Sequence, residues 1–377
     1  MIDLIIRNGR VIDPYNGLDK ICDVAIHGGK IASVGDLKDL VSEKEVNAKG
    51  CLVTPGLVDF HAHVSPLAEI GIPAEVTCFT SGITTIVDAG STGCANYESY
   101  RGFLANSKVR IKCFLNMSSA GLVTSSYHEN IDPEHFNLSK IERLFEKYPG
   151  DLLGLKIRFS KALVGEMGLK PLKQTIALAD KIGVPVVVHC TDSPIPIAAI
   201  LEQLRPGDVL THAFHGIGNT ILDEDGKIAN AVFAAREKGV IFDVANARFH
   251  FAFKTARVAL NSGFLPDVIS TDLTVKSLYK KPQIFNMMFL LSKYLNMGMS
   301  VMEVFERCTS RPAELMGMAG EIGCLSPGAS GDVAVIKCLS RNVHFEDWEG
   351  GQLDGNKLLR TMMTVRDGQI VFRDIEL

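Results

Sequence analysis

The chain has 377 residues and a net charge of −4, with 46% hydrophobic and 22% charged residues. This composition is typical of a globular protein with a sizeable core, and without a basic block or an acidic tail it predicts neither nucleic acid nor a membrane surface as a partner. No apolar run is long enough to span a bilayer, and the N-terminus resembles a β-strand rather than a signal peptide. The nine cysteines are scattered and form no CxxC pair, so we expect a reduced, cytoplasmic setting.

The chain begins with short strand-like runs separated by turn signals. The dipeptides Asn8-Gly9 and Gly28-Gly29 each lie between apolar runs, as in β-hairpins. The C-terminal segment has the same character, with strand-like runs at 332–336 and 361–365. We therefore expect a small β-sandwich domain built from both chain ends, and a central domain between them. The predicted division is residues 1–52, 53–322 and 323–377.

The central domain alternates strands with helices. Helical patterns at 169–182 and 228–238 each end at a glycine, Gly183 and Gly239, where a left-handed residue is favoured. Strand–helix alternation predicts parallel βαβ units, and eight such units predict an α/β fold of the (β/α)8 TIM-like barrel type. The eight strand-like runs lie at 51–58, 84–87, 109–115, 152–157, 184–189, 208–212, 240–244 and 267–272.

The first of these runs leads into the sequence Asp59-Phe60-His61-Ala62-His63. Residues i and i+2 of a strand share one face, so His61 and His63 project together. Alone, the pair fits two core or surface histidines as well as it fits half of a metal site. Barrel enzymes carry their chemistry at the carboxyl ends of the strands. At those ends the other predicted strands supply Lys156, His189, His212 and Asp272.

Each of these residues also has a structural interpretation. His189 could be a core histidine, His212 could bond a backbone carbonyl, and Asp272 could cap the next helix. Together they would converge on one pocket, where buried charges and imidazoles need partners. Lys156 is costly to bury as a cation, which leaves either an ion pair or a neutral amine that has reacted with carbon dioxide to give a carbamate. Four imidazoles, one aspartate and one carbamate fit two divalent metal ions, with zinc expected.

This pattern resembles the amidohydrolase superfamily, in its dinuclear-metal, carboxylated-lysine branch. The resemblance covers essentially the whole chain, including the flanking segments 56–59 and 327–334. Within the superfamily, residues 154–158 and 270–273 are most similar to the dihydroorotase-like deacetylase group. The positions that match the branch's ligands, in order, are His61, His63, Lys156, His189, His212 and Asp272.

The resemblance implies a role for each of these side chains. A hydroxide that bridges the two metals would attack an acyl carbonyl, with Asp272 as the proton shuttle to the leaving group. His61, His63 and Asp272 would hold the more buried metal, and His189 and His212 would hold the more exposed one. Carboxylated Lys156 would bridge the two metals.

Other residues near the predicted site bear on the substrate. Dihydroorotases, which are similar in their ligands, place an arginine two residues after the HxH, where this chain has Ser65. Arg158 could clamp a substrate carboxylate or form a structural salt bridge. His215 could donate to the substrate or face solvent. Arg248 and His250, in the loop after the seventh strand, are bulkier and more polar than the group's usual residues and predict an altered or more anionic substrate.

The sequence therefore predicts a metal-dependent hydrolase that removes an acyl group, with acetyl expected, from an N- or O-acylated small carboxylate. A cyclic amidase, either a dihydroorotase or a hydantoinase-like enzyme, is the alternative among hydrolases. A non-catalytic scaffold of the same fold is the alternative from another class. We expect a small-molecule substrate and a homo-oligomer, and the Met-rich run at 287–291 fits either a core or an oligomer face.

Overall fold

The structure is a computed structural model that describes residues 1–66, 68–123 and 128–377. Within these ranges the strands are β1 (Ile2–Asp13), β2 (Leu18–His27), β3 (Lys30–Gly35), β4 (Ser42–Asn47), β5 (Leu52–Pro55), β6 (Leu57–Ala62), β7 (Ile83–Gly93), β8 (Arg110–Asn116), β9 (Leu152–Arg158), β10 (Val186–His189), β11 (Val209–Thr211), β12 (Ile241–Asp243), β13 (Val333–Glu346), β14 (Gln352–Arg366) and β15 (Gln369–Arg373).

The helices of the described residues follow or separate these strands. They are α1 (Ala74–Phe79), α2 (Tyr97–Ala105), α3 (Leu138–Lys147), α4 (Lys161–Val164), α5 (Lys170–Ile182), α6 (Ile197–Gln203), α7 (Asn230–Lys238), α8 (Phe253–Asn261), α9 (Val275–Tyr279), α10 (Met287–Asn296), α11 (Val301–Glu306) and α12 (Ser310–Leu315). The predicted helix ends at Gly183 and Gly239 are confirmed, since both glycines adopt left-handed conformations after α5 and α7.

One layer of the structure is a seven-stranded parallel sheet whose strands follow the chain order from β6 to β12. Beyond β12, the segment 268–273 takes the place of an eighth strand. Val268 bridges Asp243 of β12, and Leu273 bridges Ala62 of β6, both in parallel orientation. The segment therefore connects the two edges of the sheet, and the predicted (β/α)8 TIM-like barrel is confirmed with its eighth strand reduced to isolated bridges.

The prediction of one strand over residues 51–58 is wrong, because the chain changes sheets at Gly56. Strand β5 pairs with β1 and β13, whereas β6 begins at Leu57 and pairs with β7. A Cβ atom on Gly56 would lie 2.3 Å from Thr84 Oγ1 and 2.9 Å from Asp332 Cβ. Only a residue without a side chain fits at this crossing, which an uninterrupted apolar run does not reveal.

An irregularity in β6 decides how the two histidines enter the barrel. The pairing register between β6 and β7 shifts between Asp59 and Ala62. Phe60 belongs to the apolar cluster of the barrel interior with Val187, and the next residue, His61, contacts Lys156 of β9. Successive residues of a regular strand point to opposite faces, so the bulge is what lets both neighbours reach the same interior.

The other layer, the small sheet of the β domain, has eight strands and is built from both chain ends. Its order is β15-β14-β13-β5-β1-β2-β3, with β4 paired to the free stretch of β1. All eight strands belong to one hydrogen-bonded sheet. Many of its buried side chains form a cluster of their own, whereas others, among them Ile12, Leu52 and Ile336, pack into the cluster around the barrel. Since β5 lies across the predicted boundary at residue 52, the exact domain division stays a prediction.

The two hairpin signals near the N-terminus have different outcomes. Gly28-Gly29 does form the turn between β2 and β3. The hairpin expected at Asn8-Gly9 is wrong, because β1 runs through both residues with an irregular register between Ile6 and Gly9. Asn8 adopts a positive φ of 60°, and a Cβ on Gly9 would lie 2.3 Å from Val53 Cγ2. Residue types that commonly form turns thus form a bulge at Asn8-Gly9, and this bulge passes close to β5.

The remaining sequence expectations concern the cysteines and the Met-rich run. All nine cysteines are free thiols, and only Cys338 is exposed. The side chains of Met287, Met288, Leu290 and Leu291 are buried in the core beneath β14, as the core interpretation of this run expects. Among the described residues, no helix has the length and apolar character needed to cross a bilayer.

We expect Gly56→Ala to destabilise the fold by about 1–3 kcal/mol, because the added methyl group overlaps atoms of both layers. The matched control is Gly102→Ala in α2, where an added Cβ meets nothing within 4 Å and helix propensity should raise stability by about 0.5–1 kcal/mol. Thermal or urea unfolding of both variants measures the difference. Equal stability of the two variants would show that the crossing at Gly56 is not tightly packed.

Candidate metal centre

The carboxyl ends of the barrel strands bring the predicted ligands together. Lys156 Nζ lies 3.2 Å from His61 Nε2, and Asp272 Oδ1 lies 3.2 Å from His63 Nε2 and 3.7 Å from His61 Nε2. The rings of His189 and His212 are 4.3 Å apart between centroids, and those of His61 and His212 are 5.3 Å apart. All six predicted ligands are buried and line one cavity of about 320 Å³.

In each of three histidines, a polar partner contacts one ring nitrogen and leaves the other ring nitrogen available. His212 Nδ1 lies 2.8 Å from the carbonyl oxygen of Ala245. A carbonyl can only accept, so this nitrogen carries the proton and His212 Nε2 keeps its lone pair. His63 Nδ1 contacts Ser91 Oγ at 2.9 Å, and His61 Nδ1 contacts Asp243 Oδ2 at 3.2 Å. The Nε2 atoms of these rings therefore face one another as potential ligands.

Burial also sets the protonation of the histidines. It lowers the pKa of His61, His189 and His212 well below the ordinary value, with the nearby Lys156 and neighbouring histidines acting in the same direction. These imidazoles are neutral at physiological pH. Neutral imidazole is the form that binds a metal ion.

Lys156 is buried, and no carboxylate of the described residues is hydrogen-bonded to its amine. Burial lowers the pKa of its amine to about 8, and the opposing charges of Asp272 and Asp243 limit the shift. At pH 7 about a tenth of such amines would be neutral, which is far more than for an exposed lysine. Gly90 makes room for the stem of this side chain, since a Cβ at that position would lie 2.8 Å from Lys156 Cγ.

The donor set suits metal ions of intermediate softness. The side chains of His61, His212 and Asp272 offer ligand atoms that all lie within 4.8 Å of one another, and so do those of His189, His212 and His250. Imidazole nitrogens and a carboxylate oxygen, with the opposite ring nitrogens fixed by partners, match a divalent zinc-like ion. The residues present therefore fit a metal centre, although these groups cut across the predicted division into two metal sites.

Asp243 is a supporting residue that the sequence reasoning missed. Its carboxylate lies 2.9 Å from Thr211 Oγ1, 2.5 Å from Ser270 Oγ and 3.2 Å from His61 Nδ1. Burial raises the pKa of this carboxyl to about 6. Asp243 ends the seventh strand, so the same search for polar residues at strand ends would have found it.

Two further aspartates fix the segment that carries the histidines. The carboxylate of Asp88 accepts the backbone N–H groups of Val64, Ser65 and Ser91. Asp59 accepts the hydroxyl and the N–H of Thr271 from the segment that closes the barrel, at 2.5 and 3.0 Å. Both carboxylates act on neighbouring strands and therefore hold the strand ends in register around the cavity.

Arg158 lines the cavity but already has an anionic neighbour. Its Nε lies 2.6 Å from Glu129 Oε2, in an ion pair that lacks the alignment of a hydrogen bond. Glu129 Oε1 accepts from Asn116 Nδ2 at 3.0 Å. The salt-bridge interpretation of Arg158 describes this arrangement. Asn116 ends β8, so the search for polar residues at strand ends would have found it, whereas no sequence signal indicated Glu129.

The other three tentative substrate residues lie in different surroundings. His250 is inside the cluster, with its ring 4.0 Å from His212 and its Nε2 3.9 Å from Asp272 Oδ2. Arg248 lines the cavity and donates from Nε to the carbonyls of Lys280 and Lys281, each at 3.1 Å. His215 is fully buried, which lowers its pKa to about 4, and it is not part of the cavity wall.

We expect Asp243→Asn to weaken zinc binding by about 10–100-fold, because the partner that orients the His61 ring loses its charge. Competition with a chelator of known affinity measures this change. Asp208→Asn is the matched control, since Asp208 is equally buried but holds Arg205 and the backbone of Val186 away from the cavity. Unchanged zinc affinity in Asp243→Asn would contradict the orienting role.

Comparison with known proteins agrees with this geometry. The profile of the Amidohydrolase family matches residues 52–371. A deacetylase from Agrobacterium fabrum is 32% identical over 87% of this chain and 81% of its own length. Crystal structures of an adenine deaminase and of a dihydroorotase superpose with TM-scores of 0.91 each, at 27% and 28% identity. These cover 99% of this chain and 100% and 98% of theirs.

The family match spans most of the chain and includes every residue of the cavity described above. The fold, the cavity at the carboxyl ends of the strands and the neutral imidazoles are all consistent with it. The chain belongs to the amidohydrolase family and is a hydrolase.

Proposed function

We propose that this hydrolase removes an acyl group, with acetyl expected, from an N- or O-acylated small carboxylate. The observation that carries the proposal is the convergence of four buried imidazoles, Asp272 and Lys156 in one small cavity that cations also line. The similarity to a deacetylase supports the choice of acyl transfer to water. Two divalent metal ions, with zinc as the proposed metal, would be held by His61, His63, His189, His212, Asp272 and carboxylated Lys156.

Lys156 is suited to the proposed carbamate. Its neutral amine nitrogen would attack the carbon of carbon dioxide and lose one proton, which leaves an anionic carbamate in place of a cation. Because burial holds the pKa of the amine at about 8, the reactive neutral form is accessible near pH 7. The carbamate would then supply two oxygen ligands in place of the single nitrogen of the unmodified lysine.

Asp272 is suited to proton transfer. When bound, the metal ions would supply an activated water and polarise the acyl carbonyl. As the water oxygen bonds to the acyl carbon, Asp272 would take its proton and then deliver it to the nitrogen or oxygen of the leaving group as the acyl bond breaks. The carboxylate lies within 4 Å of His61, His63 and His250, so it is held in the middle of the cavity.

A cyclic amidase is the alternative, and a residue of the HxH loop argues against the dihydroorotase form. Ser65 stands where an arginine would grip the substrate carboxylate, and it is fully buried with its N–H bonded to Asp88. A non-catalytic scaffold would be expected to lose ligands, and all six are present. Assays of ring opening against deacylation distinguish the two catalytic proposals. The nine free thiols support a cytoplasmic location, and a homo-oligomer stays a prediction.

We expect the purified protein to contain about two divalent ions per chain and one carbon dioxide on Lys156. Metal analysis measures the first, and intact mass under non-acidic conditions measures the second. Lys156→Met should lose the carbon dioxide and most of the metal, whereas the exposed-lysine control Lys44→Met should keep both. An active protein without metal, or a carbon dioxide adduct that persists in Lys156→Met, would overturn the carbamate centre.

We expect Asp272→Asn to lower kcat for deacylation by about 10²–10⁴-fold, because the amide cannot carry the proton. The substitution should be read alongside metal content, since Asp272 is also a proposed ligand. Full turnover at unchanged metal content would rule out the proton-shuttle role.

A further inference from the structure

Two cations at the mouth of the cavity have no ion-pair partner in the part of the chain that the structure describes. Arg248 and Lys276 both line the cavity, and within the described residues neither forms an ion pair. The guanidinium of Arg248 is held by the carbonyls of Lys280 and Lys281, just past the helix that carries Lys276. Arg158, by contrast, already pairs with Glu129. An anionic group of a substrate would therefore be attracted to the Arg248 and Lys276 side of the mouth.

An aromatic pair lies beside these cations. The rings of Phe249 and Trp348 meet edge to face, with centroids 4.2 Å apart and planes at 73°. The Arg248 guanidinium lies 4.8 Å from the Phe249 centroid and 5.3 Å from the Trp348 centroid. Phe249 is 38% and Trp348 46% exposed. Both rings thus keep large apolar surfaces exposed beside the cavity that Phe249 lines.

The position of Trp348 does not depend on its contact with Phe249. Trp348 lies in the turn between β13 and β14, which the carboxylate of Asp347 holds by accepting N–H groups of Glu349 and Gly351 at 2.9 and 2.7 Å. The same carboxylate accepts the N–H of Phe253 at the start of α8, at 2.7 Å. The hydrogen bond between Asp347 and Phe253 therefore fixes the turn of the small sheet against the barrel. Trp348 is held beside Phe249 before any substrate binds.

We propose that Arg248, Phe249, Trp348 and Lys276 form a subsite at the cavity mouth that binds the leaving half of the substrate, and that this half is an aromatic carboxylate. The cations would pair with its carboxylate, and its ring would pack against Phe249 and Trp348. The role of this half as the leaving group rests on the proposed deacylation. The binding of an aromatic carboxylate does not depend on that reaction.

The size of the cavity supports an extended substrate. A volume of about 320 Å³ is at the small end of ligand sites and suits the acyl bond beside the metal ligands. An aromatic ring beyond that bond would reach the exposed faces of Phe249 and Trp348. Aromatic pairs of this geometry contribute about 0.5–1.5 kcal/mol beyond their buried area, which corresponds to about two- to tenfold in affinity.

The single tryptophan of the chain makes the subsite directly measurable. The probes are 3-phenylpropanoate and butanoate, which are carboxylates without a hydrolysable acyl bond, added to the metal-loaded enzyme. We expect 3-phenylpropanoate to change the emission of Trp348 saturably and to bind about three- to tenfold more tightly than butanoate. Equal affinities for the two probes, or no change in emission, would overturn the aromatic subsite.

Variants separate this subsite from a general apolar effect. Phe249→Leu should reduce the preference for 3-phenylpropanoate over butanoate to less than twofold. Trp348→Leu should do the same, with binding measured by calorimetry because the fluorophore is lost. Phe103→Leu is the matched control, since Phe103 is also an exposed phenylalanine, in α2, and is not part of this cavity. Arg248→Met should weaken both probes together. An unchanged preference in Phe249→Leu and Trp348→Leu would overturn the proposal.

Two further readouts distinguish the possible failures. Phe249→Leu should raise KM for N-acetylphenylalanine about three- to tenfold with little change in kcat, and leave N-acetylalanine unaffected. If neither compound is hydrolysed while the probe preference persists, the subsite stands and the proposed deacylation fails. If sedimentation shows that Phe249→Leu dissociates an oligomer, the aromatic pair is a subunit interface and the subsite proposal is overturned.

Discussion

The site depends on keeping several histidines uncharged at the carboxyl ends of the barrel strands. His61, His189 and His212 are removed from water beside the Lys156 amine, and a charge on any of these rings would cost desolvation free energy. Burial therefore lowers their pKa values and leaves lone pairs on nitrogen. Burial thus disfavours cationic histidines in this interior, and it leaves the neutral imidazoles that can bind metal ions.

Buried carboxylates make that arrangement specific. Asp243 contacts His61, Thr211 and Ser270, and so connects the first strand of the barrel with the sixth strand and the closing segment. Asp59 bonds Thr271 directly across the same closure. The eighth position of the barrel has only isolated bridges to its neighbours, so these side-chain contacts supply part of the connection that a strand ladder supplies elsewhere.

The mouth of the cavity is assembled from parts of the chain that are distant in sequence. Loop residues after β12 provide Arg248 and Phe249, and the helix after the closing segment provides Lys276. A turn of the small sheet places Trp348 against Phe249. Asp347 bonds that turn to the barrel at Phe253. The small sheet therefore contributes to the surface around the cavity, in addition to covering its own apolar core.

The sequence by itself determined the class of fold and the chemistry of the interior. Alternating strand and helix patterns predict the parallel barrel, and the rule that strand ends meet places His61, Lys156, His189, His212 and Asp272 together, as they are found. Local patterns are sufficient here because strand and helix periodicity depends mainly on neighbouring residues. The same local patterns gave a single strand at 51–58 and a hairpin at Asn8-Gly9, where the chain instead changes sheets and forms a bulge.

Only the tertiary structure decided which side chains face one another. The bulge that turns Phe60 and His61 into the same interior, the pairing of Arg158 with Glu129 and the contact of Trp348 with Phe249 all join residues through space. His215 is three residues from His212, yet it is buried away from the cavity wall. Such outcomes depend on packing and on the register between strands, which are set by the whole fold and have no local signature in the chain.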